Sequence, residues 1–137
     1  MAIGIDLRTY LLTLADLTAL IGQRIYPADE VPSNPTFPLI AFSVISDEST
    51  HHLLGVTGID RARVQLDILG DRYVEVQAVR DVIKSEVDGF RGQWDGSEIL
   101  SCLKENDFDQ TPATPPSDSS KTRIHQRVLD FVVGYRE

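Results

Sequence analysis

Residues 22–46 constrain the fold more than any other stretch of the chain. They run Gly-Gln-Arg-Ile-Tyr-Pro, pass through Pro32, Pro35 and Pro38, and end in the apolar run Leu39-Ile40-Ala41-Phe42-Ser43-Val44-Ile45. Two strand-like pieces are thus separated by an extended arm, residues 28–37, with little apolar material of its own. Prolines spaced in this way hold the backbone extended and remove the amide donors a sheet ladder would use. Such an arm cannot bury itself. It either lies across its own domain or reaches a neighbouring molecule.

Around this segment the chain alternates helical and strand periodicity. Asp6 is placed to cap a helix in which Leu7, Leu11, Leu14 and Leu17 share one face. The pattern continues through Leu20 and Ile21 to Gly22, a left-handed terminator, with Asp16 marking where a second short helix could restart. Residues 24–26 read as a short strand that Pro27 ends. Residues 39–46 are apolar on both faces, which predicts a central strand held between layers. Residues 47–58 contain His51-His52-Leu53-Leu54-Gly55 and read as a loop or protruding hairpin.

Residues 60–70 then alternate, with Ala62, Val64, Leu66 and Ile68 inward and Arg61, Arg63, Gln65 and Asp67 outward. Asp71 is placed to cap the next helix, which runs to about Asp88 and stops near Gly89. That helix carries one stripe of Val76, Val79, Ile83 and Val87 and another of Val74, Ala78 and Val82. One covers the sheet; the other packs on the first helix or meets a neighbouring subunit.

Asp95-Gly96 is a two-residue hairpin signal. It leads into a strand over 98–103 that can extend to Phe108. Residues 110–121 are polar and proline-rich and read as an exposed loop. In the last run, 122–136, Leu129, Phe131, Val133 and Tyr135 are in phase. As one strand it would span roughly 50 Å, so residues 122–127 are expected to stand out from the body. Together these elements predict one α+β domain over residues 1–137, a mostly antiparallel sheet with two main helices on one face and protruding loops.

Composition narrows the function by exclusion. The chain has 13 basic and 21 acidic residues, a formal net charge of -8, which disfavours gripping phosphate. No apolar run approaches the ~20 residues of a membrane-spanning helix, and the N-terminus has no signal-peptide pattern. Cys102, the one cysteine, reads as a small core residue in a protein made in a reducing compartment. No nucleophile elbow, phosphate-binding glycine loop or paired-histidine metal motif is present. Adjacent His51 and His52 would point opposite ways on extended backbone and so chelate poorly. His125 reads as lying on an exposed strand face. The acidic residues, Asp107 and Asp109 among them, read as scattered surface carboxylates. The reading is therefore of a non-enzyme, with no catalytic residues, no cofactor and no metal.

Several stretches, taken in order, carry a resemblance. They are the N-terminal leucine-rich helix, Ile21-Gly22-Gln23-Arg24-Ile25-Tyr26-Pro27, and Phe37-Pro38-Leu39-Ile40-Ala41-Phe42. Then come His52-Leu53-Leu54-Gly55 ahead of Ala62-Arg63-Val64-Gln65-Leu66-Asp67-Ile68, a helix, Phe90-Arg91-Gly92, and a final Leu129-Asp130-Phe131-Val132-Val133. In this order the chain resembles the tail-completion or tail-terminator proteins of long-tailed bacteriophages. Each motif is short; the serial order over the whole chain makes the case.

The resemblance implies an α+β fold and a virion protein of the head–tail junction, made in the bacterial host cytoplasm. It further implies a self-assembled ring, typically a hexamer, stacked on the tail tube protein and joined to a neck or head-closure protein. DNA would pass through its opening without specific binding, and no membrane is involved. Contacts are expected in the arm (Pro32, Pro35, Phe37), the hairpin region (His51, His52, Leu53, Leu54), the polar loop (Pro112, Pro115, Pro116) and the last strand (Arg123, Arg127). Two other readings stand beside this one: a different ring-forming neck or head-closure protein, and a small cytosolic enzyme or binding module with a cleft.

Overall fold

The computed structural model describes residues 3–52, 55–110 and 124–137. Within them the order is α1 (Ile3–Leu11), α2 (Ala15–Ile21), β1 (Ile25–Pro27), a 3-10 turn (Ala28–Glu30), β2 (Leu39–His52), β3 (Gly55–Gly70), α3 (Tyr73–Val87), β4 (Gly92–Trp94), β5 (Ser97–Gln110) and β6 (His125–Arg136). The strands form a single sheet in the order β1-β2-β3-β6-β5-β4. Every neighbouring pair is antiparallel except β1 and β2. The fold is α+β, as the sequence predicts, with a third helix because the N-terminal leucine pattern breaks at residues 12–14 into α1 and α2.

The parallel β1–β2 pair explains the arm. Ile25 lies beside Ile40 and Pro27 beside Phe42, and the Ile40 N–H donates to the Arg24 carbonyl at 3.0 Å. Two parallel strands so close in sequence need a connection that carries the chain back past β1. Residues 28–38 are that connection. They lie partly on their own domain: Val31, Pro35 and Phe37 are half-buried, Pro38 is buried, and Pro32, Ser33, Asn34 and Thr36 are exposed. The Arg24 Nε–H donates to the Pro38 carbonyl at 2.9 Å and ties the end of the crossover to the start of β1.

The core forms where the period-2 faces of the strands meet the helices. Ile40 and Phe42 of β2, Ala62, Val64, Leu66 and Ile68 of β3, and Leu129, Phe131, Val133 and Tyr135 of β6 point to one face. Against them α3 presents Val76, Val79, Ile83 and Val87, all buried. Of the second stripe, Ala78 and Val82 are half-buried and Val74 is exposed. The α1–α2 pair adds Ile3, Leu7, Leu11, Leu17 and Ile21. Gly4 permits close approach of α1, since a Cβ there would meet Phe42 and Val44 side-chain carbons at 3.1 Å. Trp94 closes one end of the core, with its ring 5.9 Å from Tyr10 and 5.7 Å from Phe90.

Several local expectations are corrected. Asp6 does not cap α1 but sits inside it, fully buried, where its Oδ2 accepts a 2.5 Å hydrogen bond from the Ser97 hydroxyl of β5. Asp71 does not cap α3 either. Arg72 holds that position, without a side-chain hydrogen bond. Only the first half of the 39–46 run is enclosed: Leu39 to Phe42 are buried, whereas Val44 and Ile45 are exposed beside a bulge in the β2–β3 ladder. The last strand does not project through residue 127. From His125 onward it is paired on both sides, with Gly70 of β3 and Gln126–Gln110 of β5 at its start. Residues 122 and 123 lie outside the described residues.

Other expectations hold. Gly22 ends α2 at φ 60°, and Asp95 takes positive φ in the Asp95-Gly96 turn. Residues 47–58 are the outer part of the β2–β3 hairpin, with His51 opposite Val56 and His52 opposite Gly55. Because β6 pairs with β3 only from Asp60 onward, the outer hairpin is a two-stranded ribbon among the described residues.

Candidate functional site

Among the described residues, titratable side chains gather in an ion cluster at the rim of the sheet. Asp107 on β5 lies at the centre, because a bulge between Lys104 and Asn106 turns its side chain toward α3. Arg80 of α3 bonds Asp107 Oδ2, Lys104 Nζ reaches the same oxygen at 2.7 Å, and Arg127 Nε donates to Oδ1 at 2.6 Å. Arg127 also donates to Asp109 at 2.9 Å, and Asp109 accepts from the Tyr73 hydroxyl at 2.9 Å. Burial alone would raise the Asp107 carboxyl, but the hydrogen bonds from Arg80, Arg127 and Lys104 outweigh it and hold it well below the usual carboxylate range. The bond from Arg127 likewise lowers Asp109.

This cluster fixes the root of the β5–β6 connection to α3. Little in the residue pattern signals it, since its members come from three elements. The one available signal was two carboxylates at 107 and 109 in the same strand phase. It also places Arg127, expected at a partner contact, within an intramolecular network.

Cys102 is buried on the core face of β5. Burial, assisted by the nearby Asp88 charge, pushes its thiol up to about 12. At neutral pH such a thiol is protonated and a poor nucleophile. Maleimide labelling of the native protein at pH 8 is therefore expected to be at least about a hundredfold slower than labelling in denaturant. Equal rates would show that this strand opens readily. Tyr135 donates its hydroxyl to both Asp47 oxygens at 2.7 Å, and burial together with Asp47 raises its pKa. Among the described residues no group of three or more His, Cys, Asp or Glu side chains could hold a metal ion, and no helix is long and apolar enough to cross a membrane.

The surface offers contact features instead. Of the expected contact residues, Pro32 is exposed and Pro35 and Phe37 are half-buried in the crossover. His51 and His52 lie in the outer β2–β3 hairpin. Leu53, Leu54, Pro112, Pro115, Pro116 and Arg123 lie outside the described residues. Sequence reasoning missed Leu103 and Phe108, which are exposed on β5 on the face away from the helices. It also missed Val44 and Ile45, exposed at the opposite side of the sheet.

The family model described as "Tail completion protein gp17" matches residues 5–115. The chain therefore belongs to this family of phage tail proteins, and its place is in the virion tail. Among solved structures, a chain from "Virion of native gene transfer agent (GTA) particle" matches with a TM-score of 0.74 and 14% sequence identity, covering 98% of this chain and 96% of that one. That likeness concerns the fold. No curated protein matches at a significant level.

Proposed function

We propose that copies of this chain form a ring, a hexamer in the simplest case, that closes the end of the tail tube and joins the tail to the head or neck. The family match over residues 5–115 carries the reading. Partners are then further copies of the chain, the tube protein below and a neck or head-closure protein above. The arm around Pro32, the outer hairpin with His51 and the loop over 110–121 are the proposed contact regions. The net charge of -8 suits a conduit that DNA traverses without binding.

Deleting the gene product tests the reading. Particles lacking a tail cap are expected to show overlong tubes that fail to join heads. Tubes of normal length joined to heads would overturn it, and tubes of normal length left unjoined would favour a neck ring instead.

A further inference from the structure

We propose that Tyr135 and Asp47 form a clasp that sets the direction in which the outer β2–β3 hairpin leaves the sheet. The strand pairing shows how the two residues come to meet. Val44 of β2 lies opposite Val64, yet Ser46 lies opposite Arg63, so Ile45 is one residue more than β3 can match. A one-residue bulge reverses which side chains face the core beyond it. In unbroken register Asp47 would lie opposite Arg61, on the helix-free face. With the bulge it lies opposite Ala62, which is buried on the core face.

Tyr135 reaches Asp47 from two strands away. It pairs with Asp60 of β3 and is 1% exposed, the last buried side chain of β6 before Arg136 ends the strand. Its hydroxyl hydrogen is shared between the two Asp47 oxygens, each 2.7 Å away. Ala62, the β3 residue between Asp47 and Val133, is small and leaves room for the ring to reach across. The bond thus ties β6 to β2 over the strand that separates them.

The tie falls where the sheet gives way to the hairpin. β6 supports β3 only from Asp60 inward, and the β2–β3 ladder breaks between Ser49–Asp60 and His51–Val56. In that break residues 57–59 of β3 stand against one residue of β2, and Gly58 has φ 80°. From Val44 to Ser49 every β2 side chain is exposed, so little apolar burial holds the hairpin base to the body. A tyrosine ring fixed in the core is a rigid post, and its hydroxyl bond holds the final regular rungs from which the hairpin projects.

Hydrogen exchange of the whole chain, read by mass spectrometry, tests the clasp. Tyr135→Phe keeps the buried ring and removes only the hydroxyl. Exchange over residues 46–52 and 55–61 is then expected to rise about tenfold, with α3 unchanged. Asp47→Ala should have the same effect, and the double variant no more than either single. Asp47→Asn, which keeps an acceptor oxygen, should stay within about threefold of wild type. Unchanged hairpin exchange in Tyr135→Phe, or an equal rise in α3, would overturn the clasp. So would Asp47→Asn behaving like Asp47→Ala. The outer hairpin is one of the contact regions proposed above, but the measurement uses the isolated chain, so its failure leaves that reading untouched.

Discussion

Phe131→Asp is expected to abolish the folded state. Phe131 is fully buried on β6, opposite Val64 of β3 and Lys104 of β5, in the middle of the sheet. The substitution removes a packed aromatic and buries a carboxylate whose cross-strand cation, Lys104, is already bound to Asp107. Losing the aromatic costs about 3–5 kcal/mol, and burying an unpaired charge adds several more. The sum is comparable to the whole stability of a domain this size, about 5–15 kcal/mol. Circular dichroism at 25 °C should therefore show no cooperative melt. Val132→Asp, one residue along, points to the half-buried opposite face and should leave a folded protein. A cooperative, near-native melt for Phe131→Asp would mean that this face of β6 is not the core.

The second large effect comes from Asp107. Its side chain is 10% exposed and holds three cations that are themselves only 16–19% exposed. Asp107→Asn leaves Lys104 without its anion, while Arg127 keeps Asp109 and Arg80 keeps the exposed Asp81. Removing one partner from a buried ion pair costs about 3–5 kcal/mol, and the remaining Asp109 contact brings the expectation to about 2–3 kcal/mol. For a chain of this length that lowers the melting temperature by roughly 5–15 °C.

The pH dependence has a definite sign. The folded-state pKa of Asp107 is depressed, so its contribution is fully present above the unfolded carboxylate value near ~4 and is lost as pH falls through the folded value. The gap between wild type and Asp107→Asn should therefore be widest at pH 7 and close progressively below about pH 4. Asp67 works the other way: burial raises it, against hydrogen bonds from Gln65 and Gln126, so acid relieves a cost there. The comparison between the two proteins cancels that contribution. A gap that stays constant from pH 7 to pH 3 would show that the cluster does not act through the Asp107 charge.

Some of this architecture was legible in the residues and some was not, for physical reasons. The alternation at Ala62, Val64, Leu66 and Ile68 identified β3 because one face is wet and the other buried. The spacing of Val76, Val79, Ile83 and Val87 identified the buried face of α3 in the same way. Local turn chemistry at Asp95-Gly96 also carried through.

What failed was anything that depends on distant partners. Asp6 has the sequence context of a helix cap, yet its environment is decided by Ser97, 91 residues away. Asp107 resembles any surface carboxylate until α3 and β6 bring Arg80 and Arg127 to it. The proline arm was recognisable, but its role in carrying the chain between two parallel strands depends on the Ile25–Ile40 register, which no local pattern encodes. At the surface, the arm and outer hairpin stood out by composition. Phe108 did not, because one exposed aromatic in an alternating strand looks like a core position.

If copies of this chain form the proposed ring at the end of the phage tail, cryo-electron microscopy of intact particles, with the chain fitted by its own fold, will show it. The expected density is a closed ring of copies at the head-proximal end of the tube, each touching the next. Density for the chain elsewhere in the particle, or single copies that do not touch, would overturn the proposed ring.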